Sequence, residues 1–179
     1  MDLSAITDFV NQANEEIGKF QVTMILSPDK LAFDSFNVAS LNWNSIKYGP
    51  AEIDKVPEDK RGVYAFSVSQ PSQVLPPHCH ILYIGIAGRQ SDRSLKARYR
   101  DYLNPQKIIK RTRIARMIGT WHDVLRFHFA PIDDSMTSEE LEQLEKDLNT
   151  ALLPPFSEGD LPPVSDTVLD GIMQLPIWG

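Results

Sequence analysis

Gly62-Val63-Tyr64 and Tyr83-Ile84-Gly85 are the two short stretches that decide the fold. Each lies in an apolar run that has the length and composition of a β-strand, Gly62–Val68 for the first and Ile81–Ile86 for the second. Pro, Ser and Gln residues fill the stretch between the two runs, as is typical of a loop. The sequence therefore predicts a β-hairpin with a long loop.

Two helices are predicted directly after this hairpin. Ser94–Leu103 places Leu95, Tyr99 and Tyr102 on one face, which is the pattern of an amphipathic helix. Asn104-Pro105 ends it, and Pro105 can open a second helix that runs to about residue 119. The sequence thus predicts two consecutive helices on one side of the hairpin.

A third strand and a last helix complete the predicted core. Val124–Ala130 alternates polar and apolar residues, which predicts a half-buried strand. Thr137, with Glu140 three residues later, predicts a capping box at the start of a helix that Pro154-Pro155 ends. The expected fold is α+β, a small three-stranded sheet flanked by helices in the order β-β-α-α-β-α.

The chain is expected to divide into an N-terminal extension (residues 1–60), a main domain (residues 61–157) and a short C-terminal tail (residues 158–179). The extension has too few large apolar side chains for a core of its own, so it is expected to pack on the main domain. Within it the sequence predicts a helix over Asp2–Phe20, a short strand over Gln21–Leu26 and a short helix over Leu41–Tyr48.

Composition is that of an ordinary globular protein of 179 residues with a net charge of −6. Its one cysteine, Cys79, excludes an intramolecular disulfide. The early acidic residues exclude a secretory signal at the N-terminus, and no apolar run has the roughly 18–20 residues of a membrane span. We therefore expect a cytoplasmic protein with no membrane partner.

Positive charge is concentrated in one segment of this acidic chain. Between Arg89 and Arg116 only Asp92 and Asp101 oppose ten cations, so the segment carries +8 and the rest of the chain −14. A local basic face can bind nucleic-acid phosphates on an acidic body, and the alternative is a solvated helix face that pairs with acidic neighbours. The ten cations are Arg89, Arg93, Lys96, Arg98, Arg100, Lys107, Lys110, Arg111, Arg113 and Arg116.

These motifs together resemble the GIY-YIG nuclease family. In that family the two tyrosine strands are followed by a helix with an Arg and, four residues later, a His or Tyr, which Arg98 and Tyr102 match. A later helix carries a Glu and ends at prolines, which Glu145 and Pro154-Pro155 match. The resemblance covers about residues 61–157, and it implies the hydrolysis of phosphodiester bonds.

The resemblance implies a role for each matched residue. Tyr64 would be the base for the attacking water, Tyr83 would position water or phosphate, and Arg98 would hold the phosphate with Tyr102 beside it. Glu145 would bind Mg²⁺ or Mn²⁺, and water and phosphate oxygens would complete the metal's shell. A surface arginine, strand or core aromatics, and a glutamate on a solvated helix are the alternatives that the residues themselves leave open.

Two further positions concern the contact with nucleic acid. Gly85 can permit a close approach between backbone and ligand, and a strand end is the plain alternative. Ser157 stands where the family commonly has an Asn; it can still donate a hydrogen bond but lacks the amide geometry. We therefore expect both positions to lie at the substrate.

The leading hypothesis is a metal-dependent DNA endonuclease whose basic residues bind the DNA backbone. Such contacts do not read sequence, so specificity would come from the extension, the hairpin loop, the tail or a partner protein. The alternative is a catalytically weak or inactive module of the same fold that binds nucleic acid or a protein. A small-molecule phosphodiesterase would share the chemistry without using the cationic segment, and cleavage of both strands would favour a homodimer.

Overall fold

The computed structural model describes residues 4–22, 24, 26, 31–32, 41–69, 78–89 and 93–157. No helix in these ranges has both the length and the apolar character that a membrane span requires. The elements in chain order are α1 (Ser4–Phe20), β1 (Asn44–Lys47), a 3-10 helix (Pro50–Lys55), β2 (Gly62–Val68), β3 (His80–Ala87), α2 (Leu95–Asp101), α3 (Pro105–Ile109), α4 (Thr112–Trp121), β4 (Leu125–Pro131) and α5 (Ser138–Leu152).

The molecule is α+β, and its strands form one antiparallel sheet in the order β1-β4-β2-β3. The predicted hairpin is confirmed, since β2 pairs with β3 and places Tyr64 opposite Gly85 and Phe66 opposite Tyr83. The register shifts between Phe66 and Ser67, which is a bulge in the paired strands. The two motif tyrosines consequently project from neighbouring strands on the same face.

The prediction of three strands is wrong, because β1 adds a fourth. The helix predicted over Leu41–Tyr48 is also wrong: Asn44–Lys47 is a strand that pairs with β4, with Ile46 opposite Phe127. Ile46 is 1% exposed, and both of its neighbours in the strand are exposed, which is the alternation of an edge strand. Pairing with a buried apolar strand decides the conformation of this short segment over its local propensity.

The strand predicted over Gln21–Leu26 is not found among the described residues of that range. Gln21, Val22, Met24 and Leu26 belong to no strand, and the other two positions lie outside the described residues. The tail that begins at residue 158 also lies outside them.

Alternation along the strands gives the sheet two buried faces. Tyr64, Phe66 and Phe127 point to one face, where they pack with side chains of α2 and α4, including Tyr99 and Met117. The other face carries Val63, Ala65, Ile84 and Ile86, which pack with Leu141 of α5 and, around it, Leu144, Leu148 and Leu152. The sheet therefore separates α5 from α2 and α4.

Local capping fixes where the helices begin. Ser94 precedes α2 and accepts a hydrogen bond from the Ala97 N–H, and the predicted capping box of Thr137 and Glu140 is confirmed at the start of α5. The helix predicted over residues 105–119 is divided into α3 and α4. Lys110 and Arg111 separate the two, and Arg111 has non-helical backbone angles of φ −122° and ψ 84°.

The segment after α5 covers the exposed edge of β3. The Phe156 N–H donates to the Leu82 carbonyl over 2.9 Å. Ser157 bonds both backbone groups of Ile84, accepting from its N–H at 3.0 Å and donating to its carbonyl at 3.3 Å. These bonds satisfy backbone groups that an edge strand otherwise leaves open.

Candidate functional site

Three motif side chains meet in the layer between β2 and α2. The Tyr64 hydroxyl accepts a hydrogen bond from Arg98 Nε at 2.9 Å and lies 2.8 Å from the Tyr102 hydroxyl. Both tyrosines are 0% exposed. Because Arg98 and Tyr102 are four residues apart, they share one side of the turn and reach the same phenol. The structure thus brings together Tyr64, Arg98 and Tyr102 as the sequence predicted.

Tyr83 joins this cluster from the neighbouring strand, together with a second arginine. Its ring centroid lies 6.2 Å from that of Tyr64 and 6.3 Å from that of Tyr102. The Arg111 guanidinium donates from Nη2 to the Tyr83 hydroxyl at 3.3 Å. Its Cζ lies 5.0 Å from the Tyr102 ring centroid, within the range of a cation–π contact.

A cleft of about 210 Å³ opens beside this cluster. Two arginines and a tyrosine of the cluster form part of its wall. Ile108 of α3 supplies an apolar part, and the ion pair of Lys107 and Asp101 lines it as well. The lining residues are Arg98, Asp101, Tyr102, Lys107, Ile108, Arg111 and Ile114.

The segment that follows β1 holds α2 in place behind the site. The Tyr48 hydroxyl donates to the Tyr102 carbonyl at 2.6 Å. The Tyr99 hydroxyl accepts a hydrogen bond from the Gly49 N–H at 2.9 Å and donates one to the Gly49 carbonyl at 2.9 Å. These bonds tie the helix that carries Arg98 to a part of the chain before the two tyrosine motifs.

Burial raises the pKa of Tyr64 well above its ordinary value, and the neighbouring Tyr102 and Tyr83 raise it further. The positive charge of Arg98 lowers this pKa, but burial outweighs it. Burial also acts to lower the pKa of Arg98, and the phenol groups of Tyr64 and Tyr102 more than offset it, so its pKa is raised. The cluster accordingly holds a neutral Tyr64 beside a charged guanidinium.

Glu145 lies on α5 and is half-buried. Its backbone carbonyl accepts a hydrogen bond from Asn149 Nδ2 at 3.0 Å. The apolar stripe of α5 packs on the sheet face opposite to Tyr64 and Phe66, so Glu145 belongs to a different layer from the tyrosine–arginine cluster. Among the described residues no group of three or more His, Cys, Asp or Glu side chains is placed to hold a metal ion.

Five cations of the basic segment form ion pairs with carboxylates of described residues. Lys96 is 8% exposed and lies 2.9 Å from Asp54, and Asp101 bonds two cations, one at each of its carboxylate oxygens. Lys110, Arg113 and Arg116 are exposed, and Arg98 and Arg111 line the cleft. The paired residues are Arg89 with Glu142, Arg93 and Lys107 with Asp101, Lys96 with Asp54, and Arg100 with Glu58.

Gly85 and Ser157 are both buried, and each has a structural partner. A Cβ at Gly85 would lie 2.6 Å from the Tyr64 hydroxyl oxygen and 2.8 Å from its Cζ, so the glycine makes room for that ring. Ser157 is 1% exposed and bonds the backbone of Ile84. The structure thus gives both residues a role within the protein.

Sequence reasoning named Arg111 only as one cation among ten. Its place at the cleft follows from the break between α3 and α4, which turns this residue toward Tyr83 and Tyr102. The roles of Tyr48 and Gly49 were missed altogether, since the segment was expected to be helical. The signal that could have indicated a turn there is the Tyr-Gly-Pro sequence after Lys47.

Comparisons of the chain with protein-family models, curated proteins and solved structures find no match. The resemblance to the GIY-YIG family therefore rests on the sequence motifs alone.

Proposed function

We propose that this chain is a metal-dependent endonuclease with a GIY-YIG type of domain, which hydrolyses phosphodiester bonds of DNA. The observation that carries the proposal is the convergence of Tyr64, Tyr102 and Arg98 with Tyr83 beside one cleft. Three phenols around a guanidinium offer hydrogen-bond donors and a positive charge to a phosphate group and to a water molecule.

In this proposal Arg98 binds the phosphate group of the substrate. Its bond to Tyr64 uses one of the five guanidinium donors, so other donors remain for phosphoryl oxygens. A guanidinium held by a rigid phenol is oriented before substrate binds, and it can stabilise the charge that develops on the phosphoryl group.

In this proposal Tyr64 and Tyr102 carry the proton of the attacking water away from the reaction. Because burial raises the pKa of Tyr64, its neutral form persists at physiological pH, and a phenolate would need additional positive charge nearby. The 2.8 Å contact between the two hydroxyls lets a proton move from Tyr64 to Tyr102, which lines the cleft. Tyr64 would thus accept a proton from water only as it passes its own to Tyr102, and Tyr102 would at the same time release its own hydroxyl proton to water in the cleft.

In this proposal Glu145 would hold the metal ion; because α5 lies on the sheet face opposite to the tyrosine–arginine cluster, its carboxylate would have to reach the phosphate past the edge of the sheet. A single half-buried carboxylate fits Mg²⁺ or Mn²⁺, which are often bound by one or two carboxylates with water and phosphate oxygens, and it does not fit a zinc site with three or four protein ligands. When bound, such an ion neutralises phosphoryl oxygens and lowers the pKa of a coordinated water.

A non-catalytic module that binds phosphodiesters is the second candidate. The burial and raised pKa of Tyr64 favour it, because a protonated phenol is a poor base. The use of Ser157 as a partner of Ile84 favours it as well, because this side chain is not available to a substrate.

The test is cleavage of supercoiled plasmid with Mg²⁺ by the wild type, Glu145→Ala and Arg98→Ala, with a chelator as blank. Glu139→Ala is the matched control, since it removes an exposed carboxylate from the same helix. We expect nicking by the wild type and the control, and a loss of about 100-fold or more in the two site variants. Salt-sensitive DNA binding without cleavage by the wild type would favour the non-catalytic module.

A further inference from the structure

We infer that Arg111 is a second phosphate ligand, and that Arg98 and Arg111 together hold one phosphodiester group of the substrate. The inference rests on the proposed function and assigns a role to a residue that lies outside the matched motifs. It concerns the cleft whose wall includes both arginines.

The first argument is charge balance. Both arginines are half-buried, yet within the described residues no carboxylate lies within ion-pair distance of either one. Asp101 lines the same cleft, but it already bonds Arg93 at 2.8 Å and Lys107 at 2.6 Å. Removing a cation from water is costly unless an anion offsets it, so the cleft favours a bound anion.

The second argument is orientation. The Cζ atoms of Arg98 and Arg111 lie 5.7 and 5.0 Å from the centroid of the same ring, that of Tyr102. Arg98 is held at Nε by the Tyr64 hydroxyl, and Arg111 is held at Nη2 by the Tyr83 hydroxyl. Each bond leaves further donors on a guanidinium of fixed direction, which is the arrangement that binds a tetrahedral oxyanion from two sides.

The third argument is size and polarity. At about 210 Å³ the cleft is smaller than the roughly 300 Å³ at which pockets for a whole drug-sized molecule begin. Ile108 and Ile114 give it an apolar side next to the cations, where the sugar carbons beside a phosphate can lie. These properties favour one phosphate and its sugar within a longer chain over a free cyclic nucleotide.

The test is titration of the intact protein with inorganic phosphate at constant ionic strength, followed by the NMR signals of the arginine Nε–H groups. We expect the signals of Arg98 and Arg111 to shift together with one dissociation constant. Arg111→Ala should weaken binding about 10- to 100-fold, the value of one charge-assisted contact, and Arg111→Lys should restore only part of it.

Lys47→Ala is the control, because it removes an exposed cation from β1, outside the basic segment and outside the lining of the cleft. We expect its affinity for phosphate to equal that of the wild type. Thermal unfolding of each variant, followed by circular dichroism, checks that the fold is retained. Equal affinity of wild type and Arg111→Ala, with both folded, would overturn the inference.

Kinetics separate this inference from the proposed function. If the wild type cleaves DNA and Arg111→Ala retains both kcat and KM, the second ligand is refuted while the nuclease stands. If phosphate binds through both arginines but no cleavage occurs with any metal ion, the role of Arg111 as a phosphate ligand is supported while the proposal of a nuclease is refuted. A rise in KM together with a fall in kcat for Arg111→Ala would support both.

Discussion

Gly85 and Tyr64 show how one missing side chain shapes the site. The phenol of Tyr64 lies across the opposite strand where Gly85 has no Cβ, and any Cβ there would lie closer to the phenol than van der Waals contact allows. The glycine of Tyr83-Ile84-Gly85 thus has a packing reason, because it lets the Tyr64 hydroxyl reach Arg98 and Tyr102.

We predict that Gly85→Ala destabilises the fold by about 1–3 kcal/mol, since the added methyl overpacks a buried ring. Urea denaturation measures the change. Gly119→Ala is the control: it lies in α4, nothing surrounds its Cβ position, and it should gain up to about 1 kcal/mol from helix propensity. In a double-mutant cycle Tyr64→Ala should remove most of the Gly85→Ala cost; additive effects would contradict the explanation.

At the scale of the element, the outer strand β3 depends on the segment that follows α5. It is an outer strand of the sheet, and the residues after α5 close its open side through Phe156 and Ser157. A short serine suffices there, since its hydroxyl both accepts from and donates to Ile84.

We predict that Ser157→Ala lowers the free energy of unfolding by about 1–3 kcal/mol, because it leaves two buried backbone groups of Ile84 unbonded. Hydrogen exchange should show faster exchange of the Ile84 amide, while amides of the central strand β2 change only with global stability. Ser135→Ala, at an exposed serine, should leave both measurements unchanged. Unchanged protection of Ile84 in Ser157→Ala would contradict this role.

Elements with a strong internal pattern could be predicted from the sequence. The bounds of β2 agree with Gly62–Val68, β4 keeps its alternation, and the capping box of Thr137 begins α5. β1 could not be predicted, because four residues with one buried side chain, Ile46, carry too little periodicity and become a strand only through β4.

The meeting of Tyr64, Arg98 and Tyr102 could be expected from the sequence, but the environment of these side chains could not. Spacing placed Arg98 and Tyr102 on one helical turn, and the strands placed Tyr64 beside Tyr83. Burial of Tyr64, which raises its pKa, depends on packing from several elements that no local pattern reveals. The position of Arg111 depends on the break between α3 and α4, and the cationic residues around it give no sequence signal for that break.

At the scale of the molecule, His128 couples stability to pH. It lies on β4 with Nε2 2.7 Å from the Ser67 hydroxyl of β2, and burial, followed by the charge of Arg126, lowers its pKa. The folded state therefore favours the neutral ring. This contribution to stability is complete above the unfolded pKa of about 6.5, and it is lost as pH falls through the lower folded value.

We predict that the urea midpoint of the wild type falls as pH decreases from about 6.5 to 5, and that His128→Gln makes this dependence smaller. His122→Gln is the control, since that imidazole is exposed and its loss should leave the slope as in the wild type. An equal slope in wild type and His128→Gln would show that other groups cause the acid sensitivity.

The bonds from Tyr48 and Gly49 to α2 also have a consequence for the order in which the chain folds. They join residues 54 and 50 positions apart, so a loop of that length must close before α2, once formed, is fixed in place against the segment that follows β1. Such distant contacts form slowly compared with a helix or a hairpin. We therefore expect the hairpin and α2 to form early, and the fully ordered cluster to arise only with the last, long-range step of folding.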